Sequence, residues 1–400
     1  MTTYRQLFAV REFAVLFALR CTVLISVSVS SLALGTVTYD STGSTVLTAL
    51  AMFGGPLVTL VGSSLLLGMS DTLRPRTAIQ AQLVAMTVTA ALQSVPGLPW
   101  PARFALLAIP YAVSSATGGA NMRLLAAVVP SYAFLLGRST LNIAVGLMQV
   151  VGYAAGGLLL QRFSPADLFI VSAVAGLVAV VVCRLGIGDH PAGAVPDGGV
   201  VRRTRAVNRA LLGSPVLRPV YVALWVPNGL IVGCEAMFVP YGDGGSSGFL
   251  FAAAAAGMLL GDVVTGRFLP PAARERWLTP LRLLLAVPYL GFLLQPPLPA
   301  AMALAFVASA GFSASLVLQE RIHQRADPDV QGQAFGLAGT GMMVGQSLGA
   351  LLGGAVATVA SPSTTMGLLA AGSVLVTLAL TRGLRRSAPA LRRKPAAQVV

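Results

Sequence analysis

Charged residues are scarce in this chain of 400 residues, making up 10% of it, whereas soluble domains carry about 25%. Hydrophobic residues make up 56% of the sequence, and the mean hydropathy is +0.80. A water-soluble fold of this size cannot bury that much apolar side chain. The composition therefore excludes an ordinary soluble domain and indicates a protein whose solvent is the lipid bilayer.

Lysine, histidine and cysteine are almost missing. The one lysine is Lys394, so there is no Walker A loop, which needs a lysine after a glycine-rich turn. The two histidines and three cysteines form no metal-ligand or disulfide pattern. We expect no metal, no cofactor and no enzymatic activity. The single lysine beside 26 arginines is typical of a GC-rich bacterial genome.

Long apolar runs dominate what is present. A transmembrane helix needs about 20 mostly apolar residues, and none of the runs alternates in polarity as a barrel strand would. The sequence predicts an all-α integral membrane protein with twelve spans, at 13–37, 44–68, 77–97, 101–122, 139–161, 166–187, 216–240, 246–266, 279–296, 299–320, 333–358 and 364–381.

The basic residues test this topology, because cytoplasmic loops collect Lys and Arg. With the N-terminus inside, all 27 cations fall in cytoplasmic segments except Arg20, Arg103 and Arg162. We therefore expect both termini in the cytoplasm and a location in the cell inner (plasma) membrane. The net charge of +14 is explained by topology and contact with anionic lipids, without nucleic acid.

A polar stretch at 188–215, rich in Pro, Gly and Arg, divides the spans six and six. The two halves repeat at an offset close to 197 residues. The matching pairs are Gln149/Gln346, Gly152/Gly349, Gly156/Gly353, Gly157/Gly354, Ser164/Ser361 and Pro165/Pro362. We predict two pseudo-symmetric six-helix bundles (1–187 and 216–382), a cytoplasmic linker (188–215) and a basic tail (383–400).

Two local motifs and this topology resemble the major facilitator superfamily. GMSDTLRPR (68–76) is similar to its loop signature between the second and third helices, which implies gating by Asp71, Arg74 and Arg76. GYAAGG (152–157) is similar to the end of the fifth-helix signature of drug/proton antiporters, with Tyr153 in place of proline. The resemblance implies two bundles that rock around a midplane site.

Glu235 lies within the seventh span, and intramembrane ionisable groups are functional candidates by default. Asn228 precedes it by seven residues, about two helical turns, so both should share one face. Pro227 and Gly229 favour a kink or local unwinding there. One interpretation is a proton or cation site on the central cavity; the alternative is a wetted or paired carboxylate near the outer end.

Other charged residues in or near the spans are candidates for substrate binding, ion pairing or gating. Arg20 in the first span could meet an anionic substrate or form a structural ion pair. Asp262 in the eighth span could pair with Arg267 or Arg321 as a gate. Arg123 and Arg321 are related by the repeat, and we interpret them as gating arginines.

Amides and glycines complete the candidates. Gln149 and Gln346 are symmetric and could line the cavity or bridge helices, and Asn142 shares the face of Gln149. Glycines recur every fourth residue in the eleventh span, at 341, 345, 349 and 353, and in part at Gly152 and Gly156. We expect these small-residue stripes to form the sliding contact between the halves.

Together these features favour a monomeric secondary transporter that exports small amphipathic compounds, such as drugs or secondary metabolites, coupled to protons. Two alternatives stay open. A nutrient importer of the same fold should have more aromatic and amide groups in its cavity. A receptor or scaffold on this fold would tolerate neutralisation of Glu235 and Asp262.

Overall fold

The computed structural model describes residues 4–66, 73–117, 120–130, 133–191, 200–242 and 245–387, which contain helices at every predicted span. The N-terminal half comprises α1 (Arg11–Thr42), α2 (Thr45–Phe53 and Gly55–Leu66), α3 (Pro75–Gln93), α4 (Trp100–Thr117 and Ala120–Val128), α5 (Phe134–Leu160) and α6 (Pro165–Gly186). The C-terminal half comprises α7 (Arg218–Glu235 and Phe238–Tyr241), α8 (Ser246–Val263, ending in a π turn at Val264–Phe268), α9 (Pro271–Ala286, continuing as a 3₁₀ helix at Val287–Leu294), α10 (Leu298–Ala310 and Ala314–Arg325, joined by a 3₁₀ turn at Gly311–Ser313), α11 (Gln331–Val356) and α12 (Pro362–Ser387).

Nine helical runs in the described residues are long and apolar enough to cross a membrane. The chain is thus an integral membrane protein. The other three predicted spans coincide with α2, α3 and α4. Gly54 divides α2, and polar residues such as Arg76 and Arg103 lower the hydropathy of α3 and α4. The count of twelve spans stays a prediction for these three.

The same packing pattern occurs in both halves, as the sequence repeat predicts. In the N-terminal half α1 packs on α5 and α6, α2 on α4, and α3 on α6. In the C-terminal half α7 packs on α11 and α12, α8 on α10, and α9 on α12. The halves meet through two equivalent pairs, α5 with α8 and α2 with α11. We call the end at which Tyr4, Ser387 and the linker helix lie the linker side, and the opposite end the far side.

The linker contains a helix that its Pro, Gly and Arg content did not indicate. Val200–Gly213 is helical because its apolar and polar residues segregate: Val207 and Leu211 pack inward, whereas Arg205 and Arg209 are exposed. Gln333 of α11 holds this linker helix in place by donating hydrogen bonds to the Thr204 carbonyl (2.7 Å) and to Asn208 Oδ1 (3.0 Å).

The start of the linker is tied to α1. The side chain of Glu12 lies 2.7 Å from His190 Nε2 and accepts a hydrogen bond of 3.2 Å from the Gly188 amide. Residues 192–199, the tail at 388–400 and Asp71 lie outside the described residues.

The glycine stripe of α11 packs against α7 in its own half, so the expected sliding contact between the halves is wrong. A Cβ on Gly349 would lie 1.8 Å from the carbonyl oxygen of Gly229, and one on Gly353 would lie 2.5 Å from that of Gly233. Gly152 and Gly156 pack in the same way on α1. The cause is periodicity: a spacing of four keeps these glycines on one helix face, and that face points into the bundle.

Of the kink or local unwinding predicted at Pro227, the unwinding is absent, because the first segment of α7 runs unbroken from Arg218 to Glu235. The irregular turn lies at Ala236 and Met237, directly after the carboxylate. Helix packing holds the proline in place, and Ser373 of α12 donates a hydrogen bond of 3.2 Å to the Pro227 carbonyl.

We expect Gly349→Ala to lower the free energy of unfolding by about 1–3 kcal/mol, because the new methyl group overpacks the contact between the helix backbones. Gly339→Ala on the same helix is the control, since nothing lies within 4 Å of its Cβ position. The control should be neutral or stabilising by up to about 1 kcal/mol. Thermal unfolding of the purified protein measures both, and equal stabilities would refute the packing.

Candidate functional site

A cavity of about 180 Å³ lies between the two halves. Seven helices contribute to its wall. The lining residues are Phe53 of α2, Gln149 and Tyr153 of α5, Asn228, Ile231, Val232 and Glu235 of α7, Phe251, Ala254, Ala255 and Met258 of α8, Leu285 of α9, Ser309 and Phe312 of α10, and Gln346 of α11.

Glu235 is the one charged side chain among the described lining residues. It ends the first segment of α7 and is partly buried. The hydroxyls of Tyr153 and Tyr289 are close enough to interact with its carboxylate. Tyr289 is fully buried, and its hydroxyl lies near the Glu235 carboxylate and the Ser309 hydroxyl without reaching hydrogen-bond geometry with either. Neutral dipoles therefore surround the carboxylate.

Three amides share the cavity with Glu235. Asn228 faces it from the same helix, is only 5% exposed and has a side-chain nitrogen without a hydrogen-bond partner among the described residues. Gln149 and Gln346 approach from α5 and α11, one from each half. These amides can donate and accept hydrogen bonds, so the cavity can orient a polar substrate group from both halves.

Aromatic rings form a wall that the sequence did not reveal. Tyr153 stacks on Phe251 with ring centroids 4.9 Å apart, and Phe53 lies 6.4 Å from Phe251. Tyr153 occupies the place of a proline in the resembled antiporter motif, and that substitution was the one available signal. Such a surface can bind a flat or cationic group, because the faces of aromatic rings attract cations.

Backbone contacts between the halves close the far side of the cavity. A Cβ on Gly157 of α5 would lie 2.8 Å from the carbonyl oxygen of Gly245, at the start of α8. Its repeat partner Gly354 abuts Thr45 and Val46 at the start of α2, and the Thr45 hydroxyl donates a hydrogen bond of 2.8 Å to the Gly354 carbonyl. In α5 and α11 the glycines that contact the other half are therefore Gly157 and Gly354, each one residue beyond its stripe.

Gly157→Val should favour a state that is open on the far side, because the added side chain cannot fit against Gly245. A cysteine replacing Ala255 in the cavity, in a chain without Cys21, Cys183 and Cys234, reports this as faster labelling by an impermeant maleimide applied from the far side. Gly336→Val on α11 is the control, since its Cβ position is open. Unchanged labelling in Gly157→Val would rule out this closure.

Arginines of the N-terminal half hold the linker side together. Arg74 forms an ion pair with Asp189. Arg76 donates to the Ile187 carbonyl (3.3 Å), and Arg123 donates to the Leu73 carbonyl (3.4 Å). All three contacts stay within the N-terminal half, between its helix ends and the start of the linker.

In the C-terminal half, Arg321 binds Glu275 at 2.5–3.2 Å and also donates to the Leu384 carbonyl and the Ser387 hydroxyl. The predicted pair of Arg321 with Asp262 is therefore absent from this structure, and Arg321 does not pair with its neighbour Glu320. Glu320 pairs instead with Arg274 at 3.5 Å. Adjacent residues on a helix point in different directions, and this separates Glu320 from Arg321.

We expect Glu275→Gln to destabilise the protein by about 3–5 kcal/mol, because it leaves the guanidinium of Arg321, only 4% exposed, without its carboxylate. Glu320→Gln is the matched control: its pair is more exposed and should contribute about 0–1 kcal/mol. Thermal unfolding of the two variants gives the comparison. A loss in Glu275→Gln no larger than in the control would contradict this prediction.

Two buried charges have no ionic partner among the described residues. Asp262 has a buried carboxylate oxygen without a hydrogen bond, so the predicted pair with Arg267 is not formed. Arg282 is 2% exposed, and none of its side-chain nitrogens has a partner. Arg282 was counted with the cytoplasmic segments in the charge analysis, but it lies inside α9, whose α-helical part runs from Pro271 to Ala286. The two residues flank the 3₁₀ turn of α10, where Gly261 abuts Ala310 and Gly311 abuts Leu281.

The structure does not bring Arg20 or Asn142 into the cavity. Arg20 is partly buried in α1 with no carboxylate paired to it in the described part of the chain, and Asn142 is exposed on α5. Within the described ranges, no three His, Cys, Asp or Glu side chains lie close enough to share a metal ion.

Comparison with known proteins identifies the fold. No family model and no curated protein matches the sequence. A POT family transporter in complex with 5-aminolevulinic acid superposes with a TM-score of 0.73 at 12% identity, covering 95% of this chain and 97% of that one. A D-xylose–proton symporter gives a TM-score of 0.66 at 12% identity, with coverage of 96% and 99%. The inward-open xylose transporter XylE from E. coli gives 0.64 at 11% identity, with coverage of 94% and 96%.

The chain has the major facilitator fold. The same packing pattern in both halves shows that each half is a structural unit. The cavity that contains Glu235 lies at the interface between the two halves. At 11–12% sequence identity, the structural similarity establishes the fold and nothing further. What the cavity binds has to be argued from its own residues.

Proposed function

We propose that this protein is a monomeric, proton-coupled secondary transporter that exports small amphipathic compounds by alternating access. One observation carries the proposal: a single carboxylate, Glu235, lies in a cavity at the interface of the two halves. The similar structures, which include a POT family transporter and a D-xylose–proton symporter, support transport as the general activity.

Glu235 is the proposed proton and substrate site. An intramembrane carboxylate among neutral dipoles is costly when charged, and a proton or a cationic substrate group relieves that cost. The proton and the substrate would compete for one carboxylate, and this competition would couple their movements across the membrane. Asn228, Gln149 and Gln346 would orient the polar part of the substrate, and Tyr153 and Phe251 would pack on its apolar part.

The halves rock between two states in this proposal. The far-side contact at Gly157 and Gly354 opens as the linker side closes. Asp71, Arg74, Arg76 and Arg123 would then bring the N-terminal half against Arg321 and Asp262 of the C-terminal half. A closed linker side also offers the unpaired Asp262 a route to a partner.

We propose the plasma membrane as the location, with the linker side in the cytoplasm. The basic residues of that side support this orientation, because cytoplasmic loops carry an excess of arginine and attract anionic lipids. Export rests on the resemblance of residues 152–157 to the antiporter signature.

Import of a sugar or amino acid is the second candidate. The cavity favours it in one respect, because three amides and four aromatic side chains line it. Such groups suit hydroxyl-rich or zwitterionic nutrients, and a D-xylose–proton symporter is among the similar structures.

Glu235→Gln tests the function. In a bacterial host without its own efflux pumps, we expect the wild-type protein to protect against some toxic amphipathic compounds and Glu235→Gln to give no protection at matched expression. In everted vesicles, those compounds should dissipate a proton gradient only with the wild type.

Asp40→Asn is the matched control, since this exposed carboxylate at the far-side end of α1 does not line the cavity. It should behave as the wild type does. Equal protection by wild type and Glu235→Gln would remove Glu235 from the mechanism. No protection by the wild type, together with proton-driven uptake of a nutrient, would replace export with import.

A further inference from the structure

A second cavity, of about 230 Å³, lies inside the N-terminal half, apart from the Glu235 site. Residues of α1, α2, α3, α4 and α6 line it. It adjoins the central cavity without sharing a lining residue: Met52 faces the second cavity, and the next residue, Phe53, faces the first. The proposed transport mechanism makes no use of this space.

The walls of this N-terminal cavity are mostly apolar and carry no charged side chain among the described lining residues. Leu34, Leu83, Met86, Leu107 and Phe169 are among the apolar residues that line it. A charged ligand would be costly here, because nothing compensates its lost hydration. The lining therefore selects an uncharged, largely apolar molecule.

Polar atoms in the cavity indicate that the ligand has a hydrogen-bonding group. The Ser172 side chain of α6 is only 5% exposed, and its hydroxyl has no hydrogen-bond partner in the described structure. The amide oxygen of Gln82 on α3 is likewise buried without a partner. Buried polar groups are nearly always satisfied, so these two atoms call for a partner that the chain does not supply.

We propose that the N-terminal cavity binds a single-chain, uncharged amphiphile, such as a long-chain alcohol. Its hydroxyl accepts a hydrogen bond from Ser172 and donates one to the Gln82 oxygen, and its chain packs on the apolar walls. At about 230 Å³ the cavity has room for one alkyl chain but not for the two chains of a phospholipid.

The entrance of this site is apolar. Val27 of α1 lines the cavity and is 40% exposed, so an alkyl chain can enter beside it. Tyr111 also lines the cavity, and it lies near Tyr153 of the central cavity. The binding proposal does not depend on transport, and its test is independent of it.

A long-chain alcohol that carries an aliphatic diazirine is the probe. With the protein in lipid nanodiscs, photolabelling followed by mass spectrometry should mark residues within 22–34, 82–93 and 169–179. Excess 1-octanol should displace this label, whereas octanoate should not. A phospholipid carrying the same diazirine should leave these segments unlabelled, which separates a soluble single-chain ligand from bilayer lipid.

Two substitutions at Ser172 separate the contribution of the hydrogen bond from that of the cavity space. Ser172→Ala removes the hydroxyl and should weaken the alcohol's competition by about two- to tenfold. Ser172→Leu also fills the cavity and should abolish specific labelling. Ala90→Leu on α3, whose side chain also lines the cavity, should do the same and serves if Ser172→Leu does not fold. Glu235→Gln should label as the wild type does.

Labelling that excess 1-octanol fails to displace, or that persists unchanged in the folded leucine variants, would overturn the proposal. Equal labelling by the phospholipid probe would also overturn it, because the site would then be an ordinary lipid contact.

Discussion

The backbone contact between α7 and α11 sets the geometry of the cavity. Gly229 and Gly233 meet Gly349 and Gly353 so closely that a methyl group cannot be added, which fixes the rotation of α7 about its axis. Each residue turns a helix by about 100°. With its glycines held against α11, α7 directs Asn228 and Glu235 toward the N-terminal half, into the space between the bundles.

The buried charged side chains differ in the partners that surround them. Arg321 is buried where a carboxylate and a carbonyl satisfy it, whereas Arg282 is buried without a partner among the described residues. Glu235 has hydroxyls and amides around it, which stabilise but do not neutralise it. A buried carboxylate with neutral neighbours remains responsive to whatever cation enters, because no fixed partner competes.

The sequence predicted the features that depend on composition and period. Apolar runs, basic loops and the repeat indicate the helices and the twofold plan, and a spacing of seven residues indicates that Asn228 and Glu235 share a face. It could not predict contacts that depend on how helices are arranged. A stripe of glycines indicates close helix packing but not which helix is the partner, so the sequence did not identify α7 as the helix that packs on the stripe of α11. Tyr153 and Phe251 lie on helices from different halves, and only the assembled structure stacks them.

The 3₁₀ segment of α9 has a mechanical consequence. Val287–Leu294 is eight residues long, whereas 3₁₀ runs rarely exceed three or four. Side chains three apart are eclipsed in such a helix, which stacks Tyr289 on Phe292 with centroids 5.5 Å apart, beside Glu235. Because a 3₁₀ helix rises about 2.0 Å per residue and an α-helix 1.5 Å, rewinding this segment would shorten α9 by about 4 Å. Rewinding would also change the position of Tyr289 relative to the carboxylate, so the length of α9 and the surroundings of Glu235 are linked through this segment.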